Sequence, residues 1–172
     1  MTKGLIIVHT GDGKGKTTAA IGLGVRAVGA GLRVLMIQFI KNRKTGELAA
    51  LKKFGDAFEV HQMGEGFTWT RKDKKKDAAA AMRAWEFALE KAGTGSYEML
   101  ILDEINIALQ HGFIPLEAVL KFLREKKEGF HVVLTGRYAP QEIMDMADTI
   151  TEMKEIKHHF KAKVSAQKGI EF

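Results

Sequence analysis

The sequence predicts a single-domain α/β fold, with a mostly parallel central sheet and helices on both faces. Three observations carry this expectation. Short apolar runs alternate with segments of helical period, the pattern of successive βαβ units. A glycine-rich loop, residues 10–18, falls between the first apolar run and the first helical segment. A later run, Met99-Leu100-Ile101-Leu102, ends in the acidic pair Asp103-Glu104. At 172 residues, against roughly 150 per domain, one domain spanning 1–172 is expected.

Residues 4–9 (Gly-Leu-Ile-Ile-Val-His) read as a buried first strand. Residues 16–28 read as a helix with Ala20, Leu23, Gly24 and Ala27 on one face, closed by Gly29-Ala30-Gly31. Residues 33–39, rich in Val, Leu, Met and Ile, form the second strand, and 58–63 a shorter third. A helix over 74–92 places Met82, Trp85 and Leu89 together and stops at Gly93-Thr94-Gly95. The fourth strand is 99–102. A helix over 115–127 has Pro115 near its first turn and an apolar side of Leu116, Val119, Leu120 and Leu123. Residues 131–134 form a fifth strand, 139–147 a short helix and 148–153 a last strand. The polar tail, 154–172, receives no assignment.

Composition excludes several classes. The chain is 45% hydrophobic and 28% charged, ordinary for a folded globular protein and unlike a disordered one. No apolar run approaches the roughly 18–20 residues of a membrane span, and the N-terminus lacks the segments of a signal peptide. Cysteine is absent, which removes disulfide and thiolate chemistry and makes the cytoplasm the simplest compartment. The net charge of +6 favours an anionic partner without choosing among nucleotide, nucleic acid and phosphate-bearing cofactor. The densest basic run, residues 71–77, has no interleaved aromatics and reads as a solvated helix start, so nucleic acid is not the expected partner.

Four motifs carry chemistry. The loop Thr10-Gly11-Asp12-Gly13-Lys14-Gly15-Lys16-Thr17-Thr18 has the strand–loop–helix context of a phosphate cradle. Its glycines allow a tight turn with inward N–H groups, and the helix N-terminus adds partial positive charge. Lys16 supplies a point charge to phosphates and Thr17 a hydroxyl for Mg²⁺. Gly11, Asp12, Gly13, Lys14, Gly15, Lys16, Thr17 and Thr18 are the candidate nucleotide-binding residues. Thr10 stands where the usual motif has its first glycine, and Gly11 comes one place later. Asp103 and Glu104 should arrive beside Thr17, because strand C-termini of a parallel sheet converge on the ligand crevice, and hard Mg²⁺ takes oxygen ligands. A helix-capping role for the pair stays open. Thr135-Gly136-Arg137 also follows a strand. Arg137 there can grip phosphate oxygens or be an ordinary surface arginine. Gly64-Glu65-Gly66-Phe67-Thr68-Trp69 puts Phe67 and Trp69 in a loop, either tucked into the core or forming an aromatic platform for a flat ligand. His9 reads as structural, and His158-His159 lacks a third metal ligand.

These residues together resemble the ATP:corrinoid adenosyltransferase family over nearly the whole chain. The resemblance rests on the shifted-glycine loop, Gln38-Phe39-Ile40-Lys41, Gly64 to Trp69, Leu102-Asp103-Glu104, Thr135-Gly136-Arg137, Thr151-Glu152-Met153 and Gln167-Lys168-Gly169-Ile170-Glu171. It implies a P-loop NTPase-like (RecA-like) fold and a reaction outside phosphoryl transfer. The Co(I) centre of a corrinoid attacks the 5′ carbon of ATP and inorganic triphosphate leaves. On this reading Lys16, Arg137 and Mg²⁺ on Thr17 and Glu104, with Asp103 beside it, neutralise the leaving group. Phe67 and Trp69 match the aromatics that contact the corrinoid and displace its axial ligand. The resemblance also implies a homodimer and a reduced flavoprotein as electron donor. Two other readings use the same loop: a P-loop ATPase or small-molecule kinase releasing ADP, and a RecA-like nucleic-acid-stimulated ATPase.

Overall fold

The computed structural model describes residues 3–41, 45–66 and 74–171. In chain order the elements are β1 (Ile6–Thr10), α1 (Lys16–Gly29), β2 (Val34–Gln38), α2 (Gly46–Leu51), a 3₁₀ segment (Lys52–Ala57) and β3 (Phe58–Gln62). Then come α3 (Lys74–Gly93), β4 (Met99–Asp103), α4 (Ile105–Gln110), α5 (Leu116–Glu125) and β5 (His131–Thr135). The chain ends with α6 (Gln141–Met146), β6 (Thr149–Glu152) and a 3₁₀ turn, His159–Ala162. The six strands form one all-parallel sheet in the order β3-β2-β4-β5-β1-β6.

Both faces of the sheet are apolar, as a doubly covered parallel sheet requires. Successive side chains alternate between two cores. Ile6, Val8, Leu35, Ile37, Leu100, Leu102, Val132 and Leu134 meet the helices α3, α4, α5 and α6. Ile7, Val34, Met36, Met99, Ile101 and Val133 meet α1 through Ala20 and Ala27. The predicted inner face of α1 is therefore the observed one, with Leu23 only partly buried.

Some elements escaped the sequence pattern. Helix α4 is buried on all sides from Ile105 to Leu109, so it has no polar face to produce a 3.6-residue period. Helix α2 and the 3₁₀ segment after it are six residues each, too short for periodicity to speak. Leu89, expected beside Trp85 in the core, is 37% exposed while Trp85 is 2% exposed. Pro115 and Pro140 are the N-cap residues of α5 and α6, each directly before the first helical residue. Of the basic run, Lys74 to Lys76 form the exposed start of α3, and residues 71–73 lie outside the described residues.

The topology positions the site. All strands are parallel, so their C-terminal ends share one edge of the sheet. There β5 lies between β1, which feeds the glycine-rich loop, and β4, which ends at Asp103. At about 4.8 Å between neighbouring strands, the loop strand and the acidic strand lie about 10 Å apart. Side chains from α1 and β5 can bridge that distance.

Candidate active site

The loop after β1 turns into α1 at Gly15, whose φ of 109° is a left-handed conformation that only glycine adopts without strain. The loop is braced from outside: the Gly13 N–H donates to the Met153 carbonyl at 2.7 Å, just beyond β6. Lys16 Nζ donates to the carbonyls of Gly11 and Gly13, each at 2.6 Å. Burial, followed by the nearby Arg137 charge, pulls the Lys16 pKa below the usual lysine range.

Asp103 is fully buried and accepts four hydrogen bonds. Thr17 Oγ1 and Thr135 Oγ1 each donate to Oδ1 at 2.8 Å. Gln38 Nε2 donates to Oδ2 at 2.9 Å and Lys41 Nζ at 3.2 Å. Lys41 Nζ also donates to Thr17 Oγ1 at 2.7 Å. The Thr17 hydroxyl is thus held between a carboxylate and an ammonium, and Asp103 stands behind it as the fixed centre of the cluster.

Glu104 behaves differently. Its φ is 66°, a sparsely populated conformation for a residue with a side chain, held by a hydrogen bond from its N–H to Thr135 Oγ1 at 2.8 Å. Its Oε2 is buried without a hydrogen-bond partner. Burial, with the Asp103 charge adding to it, pushes its pKa up to about 7, against the opposing pull of Lys41 and Lys16. An uncompensated carboxylate oxygen at a strand end is a waiting cation ligand or a strained acid.

Glu104, Lys16, Thr17, Asp12, Gly13 and Arg137 line one cleft of about 500 Å³, which Thr135, Gly136, Ile107, Gln110, His111 and Tyr138 complete. Arg137 donates from Nη2 to the Asp12 carbonyl at 3.2 Å, and its Nε lies 3.6 Å from Asp12 Oδ1. Tyr138, with φ of 58°, is a second strained residue on the cleft wall. Lys14 also lines the cleft, but its ammonium pairs with Glu171 Oε1 at 2.6 Å. Thr18 is exposed and takes no part in this cluster.

Phe67 and Trp69 lie outside the described residues. The start of their loop does not: the Met63 N–H donates to the Gln38 carbonyl and the Gly66 N–H to the Ile40 carbonyl, at 3.0 and 2.8 Å. A Cβ on Gly64 would come within 2.2 Å of the Ile40 backbone, so a glycine is needed for this approach. Residues 63–66 therefore run alongside the segment from Gln38 to Ile40.

Other singled-out histidines stand apart. His9 is buried at the end of β1 with neither ring nitrogen paired, and burial lowers its pKa. His158 and His159 stack on each other, and His159 pairs with Glu171. Sequence reasoning gave no role to Gln38, Lys41 or Thr135. The available signal was polar residues ending otherwise apolar strands, which a buried parallel sheet tolerates only where they are used.

Comparison with known proteins gives a consistent result. The family described as ATP:corrinoid adenosyltransferase BtuR/CobO/CobP matches residues 2–172. The chain is 44% identical over 171 residues to the corrinoid adenosyltransferase of Pseudomonas aeruginosa, covering 99% of this chain and 84% of that protein. It is 46% identical over 173 residues to the corrinoid adenosyltransferase of a Sinorhizobium species, covering 99% and 81%. Against the Escherichia coli K12 corrinoid adenosyltransferase the identity is 41%, covering 99% and 86%. Among solved structures, the flagellar accessory protein FlaH of Methanocaldococcus jannaschii superposes with TM-score 0.58 at 12% identity, over 88% of this chain and 72% of that one. The RadB recombinase gives TM-score 0.54 at 14% identity, over 91% and 77%. At such identities these two show the RecA-like fold alone.

Proposed function

Since the chain belongs to the ATP:corrinoid adenosyltransferase family, we propose that the cleft at the C-terminal edge of its sheet carries out that reaction. The 5′-deoxyadenosyl group of ATP passes to the Co(I) centre of a corrinoid, and inorganic triphosphate leaves. The observation that carries the assignment is the convergence of Lys16, Arg137, the Thr17–Asp103 pair and the unpartnered Glu104 on one cleft.

The cobalt lone pair forms the bond to C5′, and the C5′–O bond breaks with its electron pair going to the triphosphate. No proton moves at the carbon, so the site needs no general base. It needs neutralisation of charge on the leaving group and alignment of cobalt with carbon. Lys16 and Arg137 supply positive charge, and the loop N–H groups with the α1 N-terminus supply partial charges of the same sign. Asp103 accepts from Thr17, Thr135, Gln38 and Lys41, so its role is to orient the Thr17 hydroxyl.

A divalent cation fits this donor set. Glu104 Oε2 is a buried oxygen without a partner, and Thr17 Oγ1 lies in the same cleft wall. Among the described residues no group of three or more His, Cys, Asp or Glu could hold a metal by itself. Mg²⁺ is suited to this, because it prefers one or two protein oxygens with phosphate oxygens and waters. Thr17 and Glu104 would hold it, and it would add charge neutralisation at the phosphates.

Phe67 and Trp69 are assigned to the corrinoid. The segment that leads to them, residues 63–66, hydrogen-bonds to the Gln38 and Ile40 carbonyls, next in sequence to the Lys41 whose ammonium reaches Thr17. The remaining assignments are a cytoplasmic enzyme, a homodimer and a reduced flavoprotein donor of the electron. Among the described residues no helix is long and apolar enough to cross a membrane. Chemically reduced corrinoid mixed with ATP, Mg²⁺ and the protein should yield a light-sensitive cobalt–carbon product by absorbance spectroscopy. No such product under strictly anaerobic conditions would refute the proposal.

A further inference from the structure

The Asp103 cluster extends sideways across the sheet, away from β1 and its glycine-rich loop. Gln62, Gln38 and Asp103 are register partners on the adjacent strands β3, β2 and β4. Their side chains are joined in series: Gln62 Nε2 donates to Gln38 Oε1 at 2.8 Å, and Gln38 Nε2 donates to Asp103 Oδ2 at 2.9 Å. Gln38 and Asp103 are both completely buried.

The polarity of this series is dictated by its end. An ionised carboxylate can only accept, so Gln38 must turn its NH₂ toward Asp103 and its carbonyl oxygen away. That oxygen then requires a donor, which Gln62 provides. The amide orientation is thus forced along the row. With Gln38 on Oδ2 and Thr135 on Oδ1, the carboxylate plane is fixed and Thr17 is held to one oxygen.

We infer that Gln38, backed by Gln62, is a positioning residue of the adenosylation site: it holds the Asp103 carboxylate in the orientation that presents the Thr17 hydroxyl to the metal-bearing phosphates. The inference rests on the assignment of Thr17 and Asp103 made above. Groups that orient a ligand from behind typically change metal affinity by about 10–100-fold when removed. Gln38→Met keeps the length and apolar stem and deletes both hydrogen bonds. Gln62→Met leaves Gln38 its carboxylate contact and removes only its backing.

The test is calorimetric titration of the full chain with ATP, once with Mg²⁺ and once with EDTA, alongside thermal melts. The unsubstituted chain should bind Mg·ATP more tightly than free ATP. Gln38→Met should weaken Mg·ATP binding about tenfold while free ATP binding stays the same. Gln62→Met should shift it in the same direction by less, and add nothing in the Gln38→Met background, because the series is already cut. A purely structural role would lower the melting temperature and weaken both forms of ATP equally, or neither, and either result overturns the inference. If Gln38→Met does not fold, Gln62→Met decides: a Mg²⁺-specific loss supports positioning, and unchanged affinities overturn it. An unsubstituted chain that binds ATP equally with and without Mg²⁺ overturns the metal assignment, and the inference falls with it.

Discussion

Replacing Glu104 with Gln should stabilise the metal-free protein and damage its function, and the stabilisation should depend on pH. Glu104 is buried, has an unpartnered oxygen and is pushed up from 4.5 to about 7, first by burial and then by Asp103. At about 1.4 kcal/mol per pH unit, keeping this carboxylate ionised costs the folded state about 3 kcal/mol. The folded-state pKa lies above the unfolded one, so the native chain holds an extra proton between pH 4.5 and about 7. Native stability at this site is therefore fully present below pH 4.5, declines across that window and levels off above it. The amide of the Glu104→Gln variant does not titrate in this range. In EDTA the melting temperatures of parent and Glu104→Gln should nearly coincide near pH 4.5. They should diverge toward pH 8 by as much as about 6–12 °C in favour of the variant, the equivalent of about 3 kcal/mol in a domain of this size. Mg²⁺ with ATP should reverse the order, because only the parent then gains a paired carboxylate. A difference that stays constant from pH 4.5 to 8 would rule out an ionisation cost at Glu104, since such a cost must vanish where the group is protonated.

Three further outcomes are expected. Lys16→Ala should lower the adenosylation rate about 10²–10³-fold with an unchanged circular-dichroism spectrum, the scale for losing one group that stabilises developing charge; near-normal turnover in the folded variant would remove Lys16 from the phosphates. Phe67→Ala and Trp69→Ala should leave ATP affinity unchanged and slow the reaction from Co(II) corrinoid more than from pre-reduced Co(I), so the ratio of the two rates decides, and an equal fall by both routes would reduce the rings to packing. At the far edge of the sheet, burial pushes Glu59 up, but hydrogen bonds from Tyr97, His61 and Lys91 outweigh it and hold its pKa at about 2. The stability this gives is present above pH 4.5 and is lost as pH falls from 4.5 toward 2. The urea midpoint of Glu59→Gln should therefore fall below the parent's at pH 7 and meet it near pH 2, and a gap that persists at low pH would contradict this.

Three of the strands were legible because a parallel sheet covered on both faces needs uninterrupted apolar runs, and residues 5–8, 34–37 and 99–102 supply them. The phosphate loop was legible because Gly15-Lys16-Thr17 between a strand and a helix has few other uses. Helix α4 was not, because complete burial erases the polar face that makes a helix visible. The hydrogen-bonded row Gln62–Gln38–Asp103 was hidden for another reason. It depends on which strands are neighbours and in what register, and β2 and β4 are separated in the chain by β3 and α3. Lys41 shares that obscurity, since its contact with Thr17 spans 24 positions. The raised pKa of Glu104 follows from burial, and no pattern of neighbouring letters reports burial of a single carboxylate.

On the proposed function the cleft holds a triphosphate as a leaving group and does not transfer a phosphoryl group. Phosphorus NMR of the reaction of ATP with Co(I) corrinoid tests it most directly. One intact inorganic triphosphate should appear for each cobalt–carbon bond formed, with no ADP, and no triphosphate when corrinoid is omitted. ADP accumulating in step with ATP loss, whether or not corrinoid is present, would contradict it and make the chain an ATPase or a kinase.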